Sequence, residues 1–95
     1  MGYRLTNAAE VDVTVIFRRG ASEFGLRQAE KYHRGLERTF DFLAANPRVS
    51  RERDEFSPPV RLHPFGVHLV VYRIVGENIL IVRVLHGRQD WAQYL

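Results

Sequence analysis

Gly66-Val67-His68-Leu69-Val70-Val71-Tyr72-Arg73-Ile74-Val75-Gly76-Glu77-Asn78-Ile79-Leu80-Ile81-Val82-Arg83-Val84-Leu85-His86 decides the fold of this 95-residue chain. Two β-branched runs flank Gly76-Glu77-Asn78, so the segment reads as strands near 67–75 and 79–86 joined by a turn. Both runs are apolar at successive positions rather than alternate ones. Strands of that kind are covered on both faces. Gly66 separates the first run from a further strand near 60–64, which follows the Ser57-Pro58-Pro59 punctuation. If residue 75 faces 79 across the turn, then 73 opposes 81 and 71 opposes 83. Arg73 and Arg83 would then share one face, and a shift of one residue would separate them.

Upstream, Ala29, Tyr32, Leu36, Phe40 and Leu43 recur every three or four residues. They form one face of a helix over residues 26–45, stopped by Asn46-Pro47. Residues 8–19 carry two patterns. Val11, Val13, Val15 and Ile16 suit a strand, whereas Ala9, Val13, Ile16 and Phe17 suit a helix. A cap at Thr6 or Asn7, with Glu10 at capping-box spacing from Asn7, favours the helix. Gly25 joins the two helices into an antiparallel hairpin. Tyr3-Arg4-Leu5 reads as a short opening strand, residues 48–57 as a charged surface loop, and residues 90–95 as a helical turn capped by Asp90. The order is β-α-α-β-β-β. The expected class is α+β, a single antiparallel sheet with a helical hairpin on one face, occupying 1–95 as one domain.

Composition narrows the chemistry. The chain has no cysteine, so disulfides, thiolate metal sites and cysteine nucleophiles are excluded. The four histidines lack H-x-x-x-H spacing and a carboxylate cluster, so neither a metal nor a cofactor is expected. No apolar run approaches the ~20 residues of a membrane span, and Met1-Gly2-Tyr3-Arg4 leads into no apolar leader. A soluble cytoplasmic protein is expected. The net charge is +3, and of 14 basic residues only Lys31 is lysine. The helices carry no basic stripe and no helix-turn-helix or RNA-recognition motif is present, so direct DNA binding is not expected.

Three stretches together resemble the ParE branch of the RelE/ParE toxin superfamily. Arg83-Val84-Leu85-His86-Gly87-Arg88-Gln89-Asp90-Trp91 is similar to its C-terminal signature. Gly66-Val67-His68-Leu69-Val70-Val71-Tyr72-Arg73-Ile74 is similar to its central strand. Tyr3-Arg4-Leu5-Thr6, Ala9-Glu10-Val11-Asp12, Phe24-Gly25 and Ala29-Glu30-Lys31-Tyr32 resemble its opening strand and helical hairpin. The resemblance spans nearly the whole chain. It implies a type II toxin–antitoxin system, a β-α-α-β-β-β layout, inhibition of DNA gyrase by binding, and neutralisation by a ParD-like antitoxin in a hetero-oligomer. The RelE branch implies instead ribosome-dependent mRNA cleavage.

The residues divide between these readings. Cleavage through the 2′-hydroxyl needs a base, an acid and cations about the phosphate. Arg61, His63, His68, Arg88 and Tyr94 occupy the order expected of a RelE-like set. Against it stand the ParE-like ending and the near absence of lysine. His63 and His68 are equally accounted for as half-buried strand residues with hydrogen-bond partners. Leu69, Val71, Arg73, Ile79, Ile81 and Arg83 would form an apolar, cationic groove for an antitoxin segment, unless the arginines pair with internal carboxylates. His86, Arg88, Trp91 and Tyr94 are candidates for contacting gyrase, or else the tail packs on the sheet edge.

Overall fold

The computed structural model describes residues 2–95. Strand β1 (Tyr3–Leu5) leads into helices α1 (Asn7–Phe24) and α2 (Leu26–Ala45). Strands β2 (Glu52–Arg53), β3 (Val60–Phe65), β4 (His68–Val75) and β5 (Asn78–His86) follow, and a 3₁₀ turn spans Trp91–Tyr94. The α+β class and the helical hairpin on one face are as the sequence reads. The sheet, in order β1-β5-β4-β3-β2, is mixed rather than wholly antiparallel, because β1 joins β5 in parallel. A helical hairpin between β1 and the later strands returns the chain to the same end of the sheet, which permits that parallel pairing.

Thr6 is the cap of α1. Its Oγ1 accepts from the Ala9 N–H at 3.0 Å and donates to the Val82 carbonyl at 2.7 Å, so one hydroxyl fixes the helix start on the sheet. Asn7 is the first helical residue, not the cap. The helical pattern wins over residues 8–19: Val13 and Ile16 pack on the core, while Val11 and Val15 remain 61% and 47% exposed. Gly25, at φ 91°, ends α1 and starts α2 in a conformation that disfavours any side chain.

Val70, Tyr72, Ile79, Ile81 and Val84 bury one sheet face against Leu36, Phe40 and Leu43 of α2 and Ala9 of α1. The Tyr72 hydroxyl donates to the Pro47 carbonyl at 2.9 Å, which satisfies its only polar group. Val60, Val71 and Leu85 bury the opposite face beneath Phe56, Trp91 and Leu95. The chain therefore covers much of both faces itself. Residues 48–57, expected to be loop throughout, also contribute β2, whose Glu52 and Arg53 pair with Arg61 and Val60.

The register between β4 and β5 departs from the expected one near the turn. Val75 pairs with Asn78, so the turn is Gly76-Glu77 alone, with Gly76 at φ 63° as a two-residue hairpin turn requires. Arg73 consequently opposes Leu80. A bulge then intervenes: Tyr72 pairs with Ile81 and Val71 with Arg83, leaving Val82 as the extra residue. Arg73 lies on the face away from the helices, while Arg83 reaches helix α1. The bulge restores the expected opposition of 71 and 83, so both arginines leave the sheet from the same face, as expected. They do not form a joint surface, because the Arg83 guanidinium turns round the β5 margin to Asp12.

Candidate functional site

Strand β1 pairs with β5 only at Ile79, Leu80 and Ile81. Beyond that point the margin of β5 has no neighbouring strand among the described residues, and side chains take its place. Thr6 Oγ1 donates to the Val82 carbonyl at 2.7 Å. Asp12 Oδ2 accepts from the Val84 N–H at 2.9 Å, and Gln89 Oε1 accepts from the His86 N–H at 3.2 Å. An open strand margin is a template for another chain, and capping it with polar side chains blunts that hazard. Asp12 also takes Arg83 in a two-pronged pair, Nε to Oδ2 at 2.7 Å and Nη2 to Oδ1 at 2.8 Å. The carboxylate hydrogen bonds hold the guanidinium pKa above its usual value. The Arg83 guanidinium in turn lies 5.5 Å from the Tyr94 ring centroid.

A cleft of about 740 Å³ opens between the hairpin and this margin. Val13, Ile16 and Phe17 of α1, Leu36 of α2 and Val84 of β5 give it apolar walls. Its polar lining includes Arg19, Glu23, Tyr32, His33, His68 and His86. The Tyr32 hydroxyl lies 2.7 Å from His68 Nδ1 and 3.2 Å from the Phe65 carbonyl, and the His68 and His86 ring centroids are 5.5 Å apart. Burial pushes the His68 pKa down, and the charges of His86 and Arg19 push it the same way, opposed by Asp12. Burial pushes the Tyr32 hydroxyl up. The cleft is thus apolar on its walls and short of negative charge at its histidine end.

Tyr32 is held there by close packing. A Cβ built on Gly66 would meet the Tyr32 hydroxyl at 2.5 Å, and Gly66 itself has φ 55°. The β3–β4 turn therefore presses directly on this side chain.

The residues expected from sequence fall into separate places. Of the RelE-like set, His68 and Tyr94 line the cleft, but Arg61 and His63 do not. Arg61 Nη1 donates to the Ser50 carbonyl at 2.7 Å, and His63 Nδ1 lies 3.3 Å from Ser50 Oγ, with its ring against Phe42. Both are half-buried, and burial lowers the His63 pKa. Arg88 is exposed and its N–H donates to His86 Nδ1 at 3.1 Å.

The groove set is divided as well. Ile79 and Ile81 are buried beneath the helices, Val71 is buried on the opposite face, and Leu69 and Arg73 are half-buried. Arg83 lines the cleft with its charge engaged by Asp12. In the tail, Trp91 is half-buried beside Phe56 and Arg53, whereas Arg88 and Tyr94 are exposed. Asp90 makes no side-chain cap.

Asp12, Arg19, Tyr32 and Gln89 were not identified from sequence as site residues. The mid-strand charge of Arg83 was the available signal for a carboxylate partner, and the structure supplies that partner from 71 positions away.

The cleft and its framework occur in a chain with clear relatives. The family described as ParE toxin of type II toxin-antitoxin system, parDE, matches residues 3–91. Toxin ParE1 of Mycobacterium tuberculosis is 40% identical over 89 residues, spanning 93% of this chain and 91% of that protein. Toxin ParE1 of Caulobacter vibrioides is 33% identical over 93 residues, spanning 98% and 96%. The fold is similar to a solved structure titled "Chromosomal ParDE TA system from P. aeruginosa", with a TM-score of 0.74 and 22% identity over 90% of this chain and 95% of that one. By its match across nearly its whole length, this chain belongs to the ParE toxin family of type II toxin–antitoxin systems.

Proposed function

We propose that this chain is a gyrase-inhibiting toxin of the bacterial cytoplasm that acts by binding, and that a ParD-like antitoxin neutralises it by laying an apolar, acidic segment in the cleft. The observation that carries this reading is the cleft itself, in a chain matched from residue 3 to residue 91 by the ParE family. Apolar walls reward a disordered segment for ordering, since each buried Leu or Val side chain contributes roughly 1.5–3 kcal/mol. The groove expected from the strand residues moves accordingly, from the buried sheet faces to the space between α1, α2 and β5. The exposed tail residues Arg88 and Tyr94 are the candidates for contacting gyrase. The nuclease reading draws less support, because Arg61 and His63 bind the Ser50 region while His68 and Tyr94 line the cleft.

The test is a supercoiling assay with purified gyrase. Inhibition at micromolar toxin, reversed by one equivalent of the antitoxin encoded beside it, is expected. Full supercoiling activity at that concentration overturns gyrase as the target. Codon-specific cuts in translated mRNA would establish the nuclease instead.

A further inference from the structure

The histidine end of the cleft has a chemistry that its apolar walls do not explain. His68 and His86 stand with ring centroids 5.5 Å apart, and both line the cleft. The titratable and charged groups that line the cleft with them are Asp12, Arg19 and Glu23 from α1, Tyr32 and His33 from α2, Arg83 from β5 and Tyr94 from the tail. Asp12 is fully engaged, by two nitrogens of Arg83 and the Val84 N–H. Glu23 is exposed. The remaining groups closest in effect to His68, His86 and Arg19, are cationic or become so.

One donor is ready at this point and a second forms on protonation. The Arg88 N–H donates to His86 Nδ1, so the neutral His86 ring carries its proton on Nε2. The Tyr32 hydroxyl donates its proton to the Phe65 carbonyl and so accepts from His68 Nδ1–H, which leaves the neutral His68 ring a bare Nε2 that becomes a second donor on protonation. A donor on His86, a protonatable nitrogen on His68, a neighbouring guanidinium and an apolar wall suit an ionised carboxylate on a short alkyl stem.

We propose that the His68–His86 end of the cleft is a carboxylate subsite, which seats an acidic side chain of the antitoxin segment and takes up a proton from solvent as it does so. This deepens, and rests on, the reading of the cleft as the antitoxin site. The occupant follows from charge complementarity: an anion supplies what His68, His86 and Arg19 lack. A carboxylate remains ionised above about pH 5, whereas it favours the imidazolium beside it. Binding is therefore linked to protonation and tightens as pH falls through the histidine range.

The experiment uses the full chain and hexanoate as probe, with the imidazole Cε1–H signals followed by NMR from pH 5.5 to 8. Hexanoate is expected to shift His68 and His86 saturably, to raise the His68 titration midpoint, and to bind several-fold more tightly at pH 6 than at pH 7.5. Hexan-1-ol, with the same chain and no charge, leaves that midpoint unchanged. His68→Gln removes most of the pH dependence of hexanoate binding, and Arg19→Gln weakens binding at every pH. Hexanoate that moves neither midpoint, or hexanol that moves both equally, overturns the subsite. The occupant is tested by adding the antitoxin from the neighbouring reading frame, which should displace hexanoate. An antitoxin that forms a complex on gel filtration yet leaves hexanoate in place overturns the occupant. Absence of any complex overturns the antitoxin reading itself, and the hexanoate titration is read without it.

Discussion

Asp12 on helix α1 and Arg83 on strand β5 form a two-pronged ion pair, and the same carboxylate accepts the Val84 N–H at 2.9 Å. One side chain thus neutralises a mid-strand cation, caps an unpaired strand margin and fixes the helix against the sheet. Asp12 and Arg83 are only 12% and 24% exposed, so the pair is shielded more than a surface bridge. Asp12→Ala leaves Arg83 and the Val84 N–H without partners and is expected to cost about 2–4 kcal/mol. Asp12→Asn keeps an acceptor and should cost about half as much. Urea denaturation of both variants, with Arg83→Met to close a double-mutant cycle, measures the coupling.

The β3–β4 turn makes a steric prediction. Gly66→Ala combines a left-handed backbone with a Cβ 2.5 Å from the Tyr32 hydroxyl, and about 2–3 kcal/mol of destabilisation is expected. Gly66→Ala with Tyr32→Phe should be less destabilised than the sum of the single variants, because the phenyl ring leaves more room. Equal sums by thermal denaturation would show that backbone strain alone sets the cost.

The tail separates packing from contact. Trp91 lies half-buried over the Val60, Val71 and Leu85 cluster, so Trp91→Ala is expected to cost about 2 kcal/mol and to raise binding of an apolar dye. Arg88 and Tyr94 are exposed, and the paired variant Arg88→Ala, Tyr94→Ala should change stability by less than about 1 kcal/mol. The same variant should lose gyrase inhibition in the supercoiling assay. Retained inhibition would remove these two residues from the proposed contact.

Folding stability should depend on pH through the histidines. Burial lowers the His68 and His63 pKa values below their usual 6.5 in the folded chain. The unfolded chain then binds more protons in that range, so stability is fully present above about pH 6.5 and declines as pH falls through the folded values. Urea midpoints are expected to be level from pH 7 to 8 and to drop towards pH 5.5. His68→Gln should flatten part of that drop. An unchanged profile in the variant would show that His68 contributes nothing to it.

Much of the fold was legible because periodicity reports burial directly. Leu36, Phe40 and Leu43 lie at helical spacing in α2, and all three are buried in the core. The strand pair about Gly76 was equally plain, since β-branched runs and a glycine turn are local signals. Register was less legible. The turn is one residue shorter than expected and the bulge at Val82 compensates, which returns Arg83 opposite Val71 on the face of Arg73, and neither event has a local signature. The covering of the second face was legible in part: packing of the tail on the sheet was one of the two readings of Trp91 and Leu95, whereas Phe56 comes from a segment that reads as exposed loop.

The sequence by itself determined the element order, the helical face of α2 and the resemblance to the ParE family, all of which depend on the order of residue types along the chain. Only the tertiary structure decided the parallel seating of β1, the Asp12–Arg83 pair and the cleft at the His68–His86 margin. These join residues far apart in sequence. Their geometry depends on how far β1 runs along β5 and on where the bulge falls, and a shift of one residue in either would send the same side chains elsewhere.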